Sequence, residues 1–179
     1  MAAFGEFVYN FEFLCLSLKK AITEVLKRNG LKNETLVEIL VHDSTGAPLI
    51  KYFQASLQEA FKLRGKTEAE ILKVLKNKLN EANELRNDLV HSGWAIGYGI
   101  EKSDKDLAIG IRNKVYSEGL SPVGHIYETE DFREASNHIE TLEGIVRKIW
   151  KNIEKKRKIF NGVSLEKLNK INLKLKKQD

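Results

Sequence analysis

Apolar side chains return every three or four residues at Phe4, Phe7, Phe11, Leu14, Leu18, Ile22, Val25 and Leu26, the spacing that gathers them on one face of a helix. The pattern stops at Asn29-Gly30, which predicts a long amphipathic first helix with a core-facing stripe. A second helix is expected over residues 33–42, a turn at DSTGAP (43–48), and a third apolar-periodic segment over 49–63 that ends at Arg64-Gly65. Thr67-Glu68-Ala69-Glu70 matches a capping box, in which hydroxyl and carboxylate satisfy free N–H groups at a helix start. The helix it opens turns Ile71, Leu72, Leu75, Leu79, Leu85 and Leu89 inward and runs into His91 before Gly93 ends it.

From Trp94 the beat changes. WAIGYGIE and DLAIGIRNKVY, separated by KSDK, carry the β-branched and aromatic content of a hairpin, and PVGHIYE adds a third strand. Thr129-Glu130-Asp131 restarts helix with Thr129 as N-cap and two acids in the first turn. Phe132, Ala135, Ile139, Leu142, Val146, Ile149 and Ile153 form the inner stripe of this last long helix, which is expected to run into KKRK (155–158) and break at Asn161-Gly162. The fold class that follows is mainly α: a four- to five-helix bundle with a small β-hairpin or three-stranded insertion before the last long helix. Its organisation is a single helical domain over 1–160, with the β insertion at 93–128, and a basic C-terminal tail or short helix over 161–179.

Length and composition agree with that picture. The 179 residues are enough for one sizeable core, and 42% apolar with 31% charged residues is the balance of a globular chain. No stretch approaches the ~18 consecutive apolar residues of a membrane span. The N-terminus lacks the basic start and short apolar core of a signal peptide, so the expected location is cytoplasmic, with no membrane partner. Cys15 is the only cysteine and sits among Phe13, Leu14 and Leu16, where a thiol usually acts as a small buried hydrophobe. The net charge of +5 is unevenly spread: residues 147–179 hold twelve Lys+Arg against three Asp+Glu, a net of +9, which leaves −4 elsewhere. A basic end on an acidic body suits a phosphate-bearing partner, with a solvated helix face as the plainer reading.

Most familiar chemistries find no residues here. His42, His91, His125 and His138 stand at spacings that form no HxxxH, HExxH or CxxC pair, so neither a metal nor a cofactor is expected. His42-Asp43-Ser44 has triad residue types, but three adjacent side chains point apart. Gly97 and Gly99 lack the following glycine and helix of a dinucleotide loop. What remains is NELRNDLVHSGW (83–94), where Asn87 and His91 lie four apart on one helix face with Arg86 beside them. An imidazole, an amide and a guanidinium at a helix end suit phosphodiester transfer in RNA. The His moves a proton at the 2′-hydroxyl or the leaving oxygen, and the Arg steadies phosphate charge. A helix-end salt-bridge cluster, with Glu84 or Asp88 pairing Arg86, is the plainer reading of the same letters.

Arg86-Asn87-Asp88-Leu89-Val90-His91 resembles the R-x4–6-H signature of the HEPN superfamily, small all-helical domains of toxins, phage-defence proteins and RNA-processing nucleases. The polar residue after the Arg is matched by Asn87. The resemblance covers roughly residues 1–160 in architecture and 86–91 in letters. It implies a metal-independent endoribonuclease acting in stress response or defence, and a homodimer in which two copies of the motif helix build one composite site. By carry-over His91 is the acid or base, Arg86 the phosphate clamp and Asn87 the orienting residue. The basic Lys155, Lys156, Arg157 and Lys158 are the expected RNA-binding residues. Partners implied are RNA, a second copy, and an antitoxin or regulatory protein. Members that pair with nucleotidyltransferase antitoxins often carry Tyr two residues after the His, where this chain has Gly93. The alternative is a catalytically silent helical module of the same fold that binds RNA or protein.

Overall fold

The computed structural model describes residues 2–63, 65–96, 107–116 and 119–173. Its elements in order are α1 (Ala2–Arg28), α2 (Glu34–Val41), α3 (Gly46–Phe61), α4 (Lys66–Val90), β1 (Gly93–Ile96), β2 (Leu107–Tyr116), β3 (Gly119–Glu128), α5 (Thr129–Glu154) and α6 (Leu165–Asn169). The protein is mainly helical, with a three-stranded antiparallel sheet, order β1-β2-β3, inserted before the last long helix.

The expected stripes form the core, except that Leu26 at the end of the first stripe is exposed. Phe7, Phe11, Leu14, Leu18 and Val25 of α1 are almost fully buried, as are Leu49, Phe53 and Leu57 of α3, Leu75, Leu79 and Leu89 of α4, and Ile139, Leu142, Val146 and Ile149 of α5. The most extensive helix pair is α1 with α5. Two buried or half-buried polar links join them at a common offset: Asn10 Nδ2 donates to Ser136 Oγ (2.8 Å), and Ser17 Oγ donates to Glu143 Oε1 (2.6 Å). Both residue numbers rise together from one link to the next, so the two helices run parallel. Misaligning them would leave these groups buried without partners, which costs about 1–3 kcal/mol each, so the pair sets the register.

Helix ends explain where the pattern reading and the structure part. α1 closes as expected: Gly30, at φ +99, lets Leu31 N–H reach Leu26 O and Gly30 N–H reach Lys27 O, satisfying two terminal carbonyls. The turn at 43–48 is shorter than expected, because α3 already begins at Gly46, and Pro48 falls in its first turn where no N–H is needed. The capping box at Thr67 does not form. Helix α4 starts at Lys66 behind Gly65, so Thr67 lies inside the first turn, where its hydroxyl cannot play the N-cap part. At α5 the cap is Glu128 rather than Thr129, in a reciprocal box with Asp131. The last long helix does not run through KKRK but ends at Glu154, with Lys156 in the left-handed region at φ +53.

The segment after residue 160 packs into the same core. Val163, Leu168, Ile171 and Leu173 are buried, and α6 lies against α4. The expected hairpin is β1 with β2, and the third strand is longer than PVGHIYE alone, beginning at Gly119. Pro122 sits in β3, an edge strand of the sheet, where a residue without an N–H is best tolerated. The expected connection KSDK lies outside the described residues. No helix among the described residues is long and apolar enough to cross a membrane.

Candidate functional site

The end of α4 is built by side chains that close its last carbonyls. His91, the C-cap residue, donates its N–H to Asn87 O at 3.1 Å. Ser92 Oγ donates to Asp88 O, and Trp94 Nε1 donates to Leu89 O at 2.8 Å. Gly93 therefore begins β1 rather than stopping the helix by a left-handed turn. Trp94 is held in an aromatic cluster with Phe4, Tyr127 and Phe132, ring centres 5.7–5.8 Å from its own. The indole thus fixes the end of α4 to the starts of α1 and α5, which makes Trp94 a packing anchor.

On this frame the three motif residues separate into a pair and a neighbour. Arg86 is half-buried, and its Nη1 donates to Asn87 Oδ1 at 3.2 Å. Its guanidinium carbon stands 5.9 Å from the centre of the Phe11 ring on α1, and its Nε is buried without a hydrogen-bond partner. Among the described residues no carboxylate lies within 4.0 Å of Arg86, so the salt bridge to Glu84 or Asp88 that a plain helix ending invites is not made. His91 is exposed, and its imidazole makes no hydrogen bond to Arg86 or Asn87. The structure brings Arg86 and Asn87 into contact and leaves His91 open to solvent at the same helix end.

Beneath them lies Cys15. Burial pushes its thiol up from the usual value, outweighing the lowering by the Gly46 backbone, and Arg86 is among the charges it senses. A buried thiol with a raised pKa is a poor nucleophile, as the sequence suggested. Glycine suits position 46: its φ is +55, and a Cβ there would displace Asn83 Oδ1. That contact brings the start of α3 against α4 three residues before Arg86. Tyr127 is also shifted, its hydroxyl raised to about 12 by burial and by the charges of Asp88 and Asp131.

Among the described side chains the other histidines contribute no second cluster. His42 is exposed beside Asp43, and His138 lies 3.7 Å from Glu134 one turn away; the side chain of His125 lies outside the described residues. No group of three or more His, Cys, Asp or Glu is placed to hold a metal ion among the described residues.

Of the four expected RNA-binding residues, Lys155 and Arg157 line a concave pocket at the far end of α5, whereas Lys156 and Lys158 are exposed outside it. Its other cations, Arg147, Lys148 and Lys151, were not singled out by motif. Their i, i+1, i+4 spacing, continued by Lys155 at i+8, was the signal available. Phe11 beneath Arg86 had no sequence signal beyond its place in the core stripe.

In comparisons with known proteins, no family model, no curated protein and no solved structure matches the chain.

Proposed function

We propose that the protein is a metal-independent endoribonuclease of the HEPN type, a toxin or a defence or stress-response nuclease, with Arg86, Asn87 and His91 as its reactive group. One observation carries the reading: a half-buried guanidinium at a helix end that has no carboxylate partner among the described residues, oriented by an amide, with an exposed imidazole at the same helix end. A partly buried cation without a counter-charge is costly, and a phosphate would complete it. In this chemistry an imidazole takes the 2′-hydroxyl proton, the oxygen attacks the adjacent phosphorus, and the P–O5′ bond breaks. A second, protonated imidazole gives its proton to the departing oxygen. The products are a 2′,3′-cyclic phosphate and a 5′-hydroxyl. The two-imidazole requirement is what a homodimer supplies, with His91 from each copy.

The test is cleavage of a fluorescent single-stranded RNA in excess chelator by the purified protein, with its mass followed by sedimentation. Dimerisation and cleavage to cyclic-phosphate ends are expected. His91→Ala should lower the rate by about 10²–10⁴-fold with folding intact. Arg86→Lys should also fail, because Lys keeps the charge but loses the planar fork. Glu84→Ala should be near neutral. A second reading, a silent module that binds RNA or protein, is favoured by the lack, among the described residues, of any group hydrogen-bonded to the His91 imidazole. A wild type that binds RNA without cleaving it would select that reading.

A further inference from the structure

We infer that the pocket at the C-terminal end of α5 is a binding site for a ligand carrying two or more linked phosphate groups, separate from the α4 site. The pocket has a volume of about 370 Å³ and is lined by Gly144, Arg147, Lys148, Lys151, Lys155 and Arg157, with Asn152 in its wall. A water's share of liquid volume is about 30 Å³, so the space exceeds what a single tetrahedral anion needs.

Four observations distinguish it from a solvated basic helix face. First, the cations come from two directions. Arg147, Lys148, Lys151 and Lys155 descend α5 and its cap, while Arg157 is folded back by a closed turn. In that turn Arg157 N–H reaches Asn152 O (2.8 Å) and Lys156 N–H reaches Ile153 O (3.0 Å). The buried Asn152 amide locks it by donating to both Ile159 O and Asn161 O at 3.0 Å. Second, the N–H groups of Lys155, Lys156 and Arg157 cap Lys151 O, Ile153 O and Asn152 O in the last turn of α5, which lessens the repulsion that bare terminal carbonyls would exert on an anion.

Third, four of the five cations make no ion pair among the described residues. Among the described residues no carboxylate lies within 4.0 Å of Lys148, Lys151, Lys155 or Arg157. Arg147 is 3.3 Å from Glu143, whose other oxygen accepts from Ser17. Fourth, Gly144 is a glycine in the interior of α5 that no packing demands. A Cβ there would meet nothing within 4 Å, and glycine in a helix costs about 1 kcal/mol relative to Ala. Gly144 lines the pocket, and its lack of a side chain leaves that part of the floor open. Gly162, at φ +71, in turn leaves room for Lys148, whose ammonium a Cβ would strike.

The inference does not rest on the cleavage reading. Phe132, packed on the Trp94 anchor of α4, and Lys148 are sixteen positions apart on α5, about 24 Å at ~1.5 Å per residue.

The experiment is titration calorimetry of the full chain with inorganic tripolyphosphate at about 0.1 M salt. A parallel arm uses a short single-stranded RNA and the His91→Ala background, so that cleavage plays no part. One tripolyphosphate per chain is expected. Gly144→Leu, which keeps every charge but fills the floor, should weaken it about tenfold or more. Lys148→Gln with Lys151→Gln should weaken it about 100-fold. Lys156→Gln, which removes a charge outside the pocket, should change it less than about twofold. If Gly144→Leu also weakens RNA, the phosphates are those of a strand; if RNA is untouched while tripolyphosphate is lost, they belong to a free oligophosphate. Either result supports the pocket. Affinity indifferent to Gly144→Leu, or no binding by the wild type, overturns it. Thermal melts accompany each variant, and the double Gln variant decides the matter if Gly144→Leu fails to fold.

Discussion

Replacing Leu168 with Ala tests whether the chain after residue 160 is part of the domain. Leu168 is fully buried in α6, which packs on α4. The substitution removes three carbons, worth about 2.4 kcal/mol at ~0.8 kcal/mol per buried methylene. The part of the cavity that remains beside α4 after partial relaxation brings the expected loss to about 3 kcal/mol. In a chain of this length that is a fall in Tm of about 6–12 °C, against total stabilities of ~5–15 kcal/mol for native domains. Urea and thermal unfolding followed by circular dichroism measure it, with Lys167→Ala, exposed on the same helix, as a control expected within about 0.5 kcal/mol of wild type. A Leu168→Ala variant as stable as wild type would refute the docking of α6 and return residues 161–173 to a solvated tail. The outcome also governs how RNA binding is dissected. Deleting the chain from Ser164 onward removes Leu168, Ile171 and Leu173 from the core along with five described or terminal lysines, so a lost affinity would confuse unfolding with lost charge. Single substitutions in α5 avoid that.

Two further outcomes follow from buried polar groups. Asn152→Ala strands the carbonyls of Ile159 and Asn161, and should cost about 2–4 kcal/mol in urea unfolding while lowering tripolyphosphate binding through a loosened turn. The second outcome is alkaline. Cys15 is raised from 9.0 by burial, and Tyr127 is raised from 10.0 to about 12 by burial and by Asp88 and Asp131. Both are neutral acids that the folded state holds protonated, so their contribution is complete below the unfolded values and is lost as pH rises through the folded ones. Stability should therefore fall between pH 9 and about 12, and Cys15→Ala with Tyr127→Phe should flatten that fall; an unchanged slope would exclude both groups as its cause.

Periodicity alone determined the helical stripes and the switch to strands at Trp94, because a face that must be buried repeats at 3.6 residues in helices and at 2 in strands. Gly30 likewise announced its turn, since few residues other than glycine accept φ +99 readily. The motif at 86–91 was legible as a concentration of polar types at a helix end, but not its geometry. That Arg86 lies against Phe11 and finds no carboxylate among the described residues depends on which helix packs beside α4, and a residue seventy-five positions away leaves no trace in local spacing. Helix ends were decided in the same way. Thr67 and Thr129 lost the caps that their letters promised because Gly65, two residues earlier, and Glu128, one residue earlier, took those positions, differences of one or two residues that local propensity is too weak to settle. The parallel pairing of α1 with α5 was set by Asn10 with Ser136 and Ser17 with Glu143, links between residues far apart in the chain. The basic end shows the division most plainly. Its charge was countable from the letters, but only the closed turn after Glu154 drew Arg157 back beside Lys148 and Lys151 over Gly144, because like charges converge only where backbone hydrogen bonds hold them together.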